Sequence, residues 1–344
     1  MLTALLGLVG AFTYGSADFL GGLAARRIST LRVTAIAALS GLVLLLILVP
    51  FTGGQWSASA VAWGALSGVT GALAISLLYA CLAIGPMSIL SPLTALVSAI
   101  VPLTWGLGSG ERLHPPGYVG LGLALVAVVL VGFVPERGAV RPTLRALAMA
   151  VGSGAMIGAF MIIIDQTPKE SGLVPLVLNR AVNGTIMLVA IAILGVRARR
   201  VRRAGRPSRA RLGAAVAGLV TAGDGRMDAT FPANNASLPD DGLAVTDSHV
   251  AVGVGSDPAS TGARGGWLPG LPFALACGVL DTAANVLMLA GIRVGGVTIT
   301  SVLVALYPAG TIILAAVVLR ERIAPVQWAG LGLALTAGVL LALP

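Results

Sequence analysis

The sequence predicts an all-α integral membrane protein in which ten transmembrane helices form two inverted five-helix repeats. Three observations carry that prediction. Apolar residues make up 57% of the chain and charged residues only 10%, too little polar surface for a water-facing domain. The apolar residues gather in ten runs, each near the roughly 20 residues a helix needs to cross about 30 Å of hydrocarbon. Finally, "ERLHPPGYVGLGLAL" from Glu111 recurs as "ERIAPVQWAGLGLAL" from Glu321, 210 residues later.

The runs fall at about 2–24, 31–51, 59–84, 86–107, 116–134, 143–164, 173–196, 268–291, 294–319 and 325–343. Helices are expected because hydrocarbon offers no partner to an open backbone, and no run alternates apolar with polar residues as a barrel strand would. The first run lacks the basic start and short core of a signal peptide and continues through Tyr14 and Asp18 to Arg26 and Arg27, so it reads as a retained span. Cys81 and Cys277 lie inside spans and read as small packing residues rather than a disulfide or metal site.

The 210-residue register extends backwards without a gap, setting Gly68 on Gly278, Ala74 on Ala284, Leu77 on Leu287, Gly85 on Gly295 and Ala95 on Ala305. Spans 3 to 5 thus match spans 8 to 10. A weaker register of 142 residues sets Ala4, Leu5, Gly10 and Ala17 on Ala146, Leu147, Gly152 and Ala159, and then Ser29 on Ser171. The difference arises between spans 7 and 8, where the chain turns polar. The organisation read from this is a first repeat at 1–134, spans 6 and 7 of the second at 143–204, an insertion at 205–266, and spans 8 to 10 at 267–344. A five-span unit crosses an odd number of times, so its copy enters from the opposite side.

Arginine clusters in the connections after spans 1, 5, 7 and 9 (Arg26, Arg27, Arg32; Arg137, Arg141, Arg145; "RARRVRRAGRPSRAR"; Arg320, Arg322), against Arg112, Lys169 and Arg293 in the alternate ones. On the positive-inside rule the odd connections face the cytoplasm and both termini lie outside. The 205–266 segment, rich in Gly, Ala, Ser, Pro and Asp without sustained periodicity, is expected to be disordered. The adjoining run Arg197–Arg211 reads first as a topogenic anchor, with contact to anionic lipid or a nucleic-acid patch as the alternatives.

The stretches "GPMSILSPLTALVSAIVPLTWGLGSGERLHPPGYVGLGLALVAVVLVG" and "LYPAGTIILA", with the doubled Glu-Arg, resemble the EamA-type branch of the drug/metabolite transporter superfamily over nearly the whole chain outside the insertion. The resemblance implies ten helices in two inverted halves and transport of small metabolites or drugs, often outward. It also implies cytoplasmic termini, opposite to the charge count, so orientation stays open.

Read on its own, the doubled Glu-Arg is a charged pair facing water past a helix end, and Pro115 and Pro325 suit the first turn of the next helix. "GLGLAL" follows no strand and is not a nucleotide loop. Trp56, Trp63, Trp105, Trp267, Trp328 and Tyr118 read as interfacial anchors.

Ionisable residues inside spans are costly and mark candidate sites. Asp281 and Asn285 share one face of span 8, where the first repeat has Gly71 and Ile75; this broken symmetry suits a substrate or proton site, while a structural ion pair with Arg180 is the alternative. Arg180, with Asn179 and Asn183, gives span 7 a polar face for a carboxylate or for pairing with Asp18 or Asp281. Asp18, one turn past Tyr14, is either a proton carrier or a helix-end acid reaching water. Asp165 reads as interfacial. Tyr307-Pro308 interrupts span 9, and Thr94, Ser98, Thr300 and Ser301 supply hydroxyls for bonds between helices.

The function expected is a secondary transporter, an exporter or permease, moving a small organic solute by alternating access in a bacterial cytoplasmic membrane, with proton coupling through Asp18 and Asp281. A bacterial source is read from 21 arginines against one lysine and from the alanine content. The expected partners are that solute, the bilayer, anionic lipid through Arg197–Arg211 and, as an open alternative, a second copy in a homodimer; no nucleic acid, cofactor or metal is expected. An enzyme is disfavoured because His114 and His249 both lie in connections, no HExxH occurs and no nucleophile has an evident base. A non-transporting scaffold using the insertion is the remaining alternative; deleting 205–266 would abolish a scaffold's function and spare a transporter's flux.

Overall fold

A computed structural model describes residues 1–82, 84, 87–132, 142–204, 270–320 and 323–343. Its helices are α1 (Leu2–Ala25), α2 (Thr30–Thr52), α3 (Ala58–Leu82), α4 (Met87–Gly108), α5 (Pro115–Gly132), α6 (Leu144–Asp165), α7 (Val174–Ala204), α8 (Leu271–Gly295), α9 (Val297–Val304), α10 (Tyr307–Val318) and α11 (Pro325–Ala342). They supply ten segments long and apolar enough to span a bilayer, and the described residues contain no strand. Residues 205–266, expected to be disordered, lie outside the described residues, as do Glu321, Arg322, Trp267 and the side chains beyond Arg197 in the basic run. The chain divides into two compact units, Met1–Val189 with Gly253–Pro344, and Ala190–Val252; the described part of the second is the helical stretch to Ala204.

Local chemistry sets the helix ends. Thr143 caps α6 by accepting from Ala146 N at 3.2 Å, and Gln327 reaches back to accept from Ala324 N at 3.0 Å ahead of α11. Pro115 and Pro325 open α5 and α11 as the sequence suggests. The ninth span is broken into α9 and α10. Pro308 has no N–H to return to Val304, so the chain turns through Ala305 and Leu306, with Ala309 N bonding Leu306 O at 2.9 Å. Proline alone does not enforce a break, since α4 runs on through Pro92 and Pro102.

Small residues let the helices touch, and equivalent positions make equivalent contacts. Gly278 on α8 lies against Ala37 of α2; Gly68 on α3 lies against Asn179 of α7, the counterpart of Ala37 in the 142-residue register. Gly120 on α5 meets Leu340 and Leu341 of α11, and Gly330 on α11 meets Leu130 and Val131 of α5, the counterparts of that pair. A side chain at Gly68 or Gly278 would run into backbone of the facing helix.

One end of the bundle collects the connections α2–α3, α4–α5, α6–α7 and α8–α9. There Gln55 N bonds Glu170 O at 2.9 Å, and Arg293 Nη2 donates to Gly172 O at 2.9 Å. Arg26, Arg27, Arg32, Arg145 and Arg320 belong to the connections at the other end, where Gly270 sits against Ala24 and Ile28 and Arg27 stacks over Phe273 at 4.8 Å. Gly110 and Arg320, which share the 210-residue register, both have positive φ (101° and 57°) and lie at opposite ends.

The glutamate of the repeated phrase is more than punctuation. Glu111 Oε1 and Oε2 accept from Val297 N and Thr298 N, each at 2.9 Å, so its carboxylate caps the first turn of α9 across the bundle. The water-facing reading of Glu111 is therefore corrected: a helix start leaves N–H groups unpaired and carries partial positive charge, which a carboxylate satisfies on both counts. The hydroxyl reading holds for Thr94, which donates to Ala150 O at 3.2 Å. It fails for Ser98, Thr300 and Ser301, which bond carbonyls of their own helices.

Candidate functional site

Helices α1, α7, α8 and α10 bring polar side chains together inside the bundle. Arg180 of α7 and Asp281 of α8 form an ion pair whose side chains are 9% and 29% exposed, so the arginine is enclosed while the carboxylate keeps a reachable edge. The sequence alternative of a structural pair is thus what the geometry contains, with Asp18 left out of it. Breaking a buried pair by removing one partner costs about 3–5 kcal/mol, an upper figure here because Asp281 is partly exposed.

Asp18 lies on α1 roughly 10 Å along the helix from its end at Ala25, and Asp281 about 15 Å from the start of α8. Asp18 has an exposed side chain and lies on the side of α1 opposite its exposed Leu2, Leu5, Val9 and Phe12. Tyr14 lies one turn back on α1, Tyr307, the first residue of α10 after the break, sets its backbone against Gly15, and Cys277 Sγ of α8 comes 3.2 Å from where a Cβ on Gly21 would stand. Among the described residues Asp18 has neither a hydrogen-bond nor an ion-pair partner. On insertion scales a carboxylate at the centre of a membrane helix costs roughly 2.5–3.5 kcal/mol.

The remaining candidates frame this centre. Tyr14 directs its hydroxyl at Met288 Sδ, 3.7 Å away on α8. Asn285, buried, donates to Asp281 O at 2.7 Å within its own helix, which leaves its Oδ1 to face outward from that bond. Asn179 donates to Ser67 Oγ at 3.1 Å and so belongs to the α3 contact. Asn183, one turn beyond Arg180, has a buried Oδ1 with no partner, while its Nδ2 lies close to Gly71. The structure therefore gathers Tyr14, Asp18, Arg180, Asp281 and Tyr307, and sets Asn183 and Asn285 beside them.

Sequence reasoning took Cys277 only as a packing residue and did not single out Thr282. Cys277 precedes Asp281 by four residues, one helical turn, and that spacing was the available signal. Thr282 is fully buried with an unpartnered hydroxyl; a Cβ on Gly41 of α2 would meet that hydroxyl and also Arg180 Nε at 3.4 Å. Asp165 stands apart, with Thr167, Lys169 and Arg293, around a cavity of about 310 Å³ at the end of the bundle that carries Glu111.

These spans and buried charges define a polytopic helical membrane protein with an internal polar centre. The sequence model of the EamA-like transporter family matches residues 1–133 and 256–343, and the chain belongs to that family. It is accordingly a membrane transporter, as the resemblance implied. No curated protein matches the sequence. A solved crystal structure of a protein, 13% identical, is similar over 99% of this chain and 96% of its own, with a TM-score of 0.62, which speaks for the fold alone.

Proposed function

We propose that this transporter moves a small organic solute across a bacterial cytoplasmic membrane by rocking two inverted five-helix halves about the centre formed by Tyr14, Asp18, Arg180, Asn183, Asp281, Asn285 and Tyr307. The observation that carries the proposal is one reachable ion pair, Arg180 with Asp281, beside one unpaired carboxylate, Asp18, inside a bundle whose contacts survive exchange of its halves. Equivalent registers at opposite ends support the inversion, and a break at Pro308 beside Tyr307 supports a site at the centre, where such folds interrupt helices.

Asp18 is the proposed proton carrier. It can be neutralised by a proton when no solute is present, and no nucleotide loop in the sequence offers another energy source. The test uses proteoliposomes, an imposed pH gradient and a panel of labelled metabolites. Wild type concentrates at least one solute, and Asp18→Asn abolishes the gradient-driven accumulation. Unchanged accumulation by both Asp18→Asn and Asp281→Asn refutes proton coupling at this centre.

A further inference from the structure

Building on the transport reading, we infer that the solute is an organic monocation, held by the carboxylate of Asp18. The inference follows from the charges of this centre. Asp281 on α8 is answered by Arg180 on α7, and the two together carry no net charge. Asp18 on α1 is answered by no described side chain. The described groups that the packing brings to this stretch of α1 are uncharged: Tyr14 one turn back, Tyr307, whose backbone lies against Gly15, and Cys277, whose Sγ lies against Gly21. With Asp18 ionised, the described side chains of the centre therefore carry one negative charge in excess, on an accessible carboxylate.

An ammonium centre complements it by pairing with the carboxylate. An anion would meet the same carboxylate with its only compensating cation already engaged. A neutral solute would leave Asp18 either unpaired or protonated. Phe160 of the second repeat is the counterpart of Asp18, and Ala38 of the first repeat is the counterpart of Arg180, so neither charge is duplicated in the other copy.

The test is calorimetric titration of the full chain in detergent with three aromatic probes of related size: benzyltrimethylammonium, benzyl alcohol and benzoate. The cation binds at least about tenfold more tightly than the alcohol, and benzoate most weakly. Asp18→Asn removes the preference and Asp18→Glu keeps it. Asp281→Asn, which frees Arg180, strengthens benzoate binding relative to wild type. Equal binding of the three, a preference for benzoate in wild type, an unaltered preference in Asp18→Asn, or binding of none at millimolar concentration overturns the inference. Counterflow of the same probes in proteoliposomes separates it from the transport reading. Cation binding without flux refutes transport and leaves the charge assignment standing; flux of the alcohol or benzoate in preference to the cation does the reverse.

Discussion

Replacing Glu111 tests whether a charged residue of a connecting segment holds the first turn of a helix on the far side of the sequence. Its two carboxylate oxygens take the N–H groups of Val297 and Thr298 at 2.9 Å, and both of those residues are fully buried. Hydrogen bonds to a charged group contribute about 1.5–3 kcal/mol, and a negative charge at a helix N-terminus adds roughly 0.3–1 kcal/mol. Glu111→Gln keeps one acceptor but turns an amide group toward the second N–H, so it should cost about 2 kcal/mol; Glu111→Ala strands both donors and should cost about 3–4 kcal/mol. Gly296→Ala attacks the same contact from the other side. Gly296 has φ of 84°, and an added Cβ would press into the Glu111 carboxylate. The double variant should therefore be less destabilised than the sum of the single ones. Reversible unfolding by increasing sodium dodecyl sulfate in mixed micelles, followed by tryptophan fluorescence, measures each change, with the exposed Glu170→Gln as the control. A Glu111→Gln protein as stable as the control, or additivity with Gly296→Ala, would refute the cap.

Two further outcomes are expected. Arg180→Ala and Asp281→Ala should each lower stability by up to about 3–5 kcal/mol in the same assay, while the double variant recovers most of that loss because no charge is left stranded; full additivity would mean the pair does not act as one. In a background lacking Cys81 and Cys277, a membrane-impermeant maleimide should reach Ser109→Cys and Arg320→Cys from opposite faces of sealed vesicles; labelling of both from one face removes the inverted architecture.

The fold was legible because lipid imposes a coarse rule. Backbone groups must bond internally, so apolar length by itself marks a helix, and all ten expected runs became spans. The break in span 9 could be suspected from Pro308 but not decided, since Pro92 and Pro102 sit in an unbroken helix; tertiary contacts at Ala305 and Leu306 settle such cases. Candidate charges were visible for the same reason the helices were, each being costly in its surroundings. Their partners were not visible. Arg180 could have answered Asp18 or Asp281 from the sequence, and only the arrangement of α7 against α8 selects Asp281. Glu111 was misread because its partners are backbone N–H groups, which every residue but proline carries and no sequence pattern singles out.

The repeat and the site obey opposite demands. Where helices meet, the two copies retain the same small residues, Gly68 with Gly278 and Gly120 with Gly330, because backbone proximity tolerates nothing larger in either half. At the polar centre they diverge: Asp18, Arg180, Asn183, Asp281, Asn285 and Tyr307 face Phe160, Ala38, Gly41, Gly71, Ile75 and Val97 in the other copy. A second buried ion pair would add another desolvation cost of several kcal/mol per ion. The packing surface thus keeps matching small residues in both copies while charge is confined to one copy of each pair.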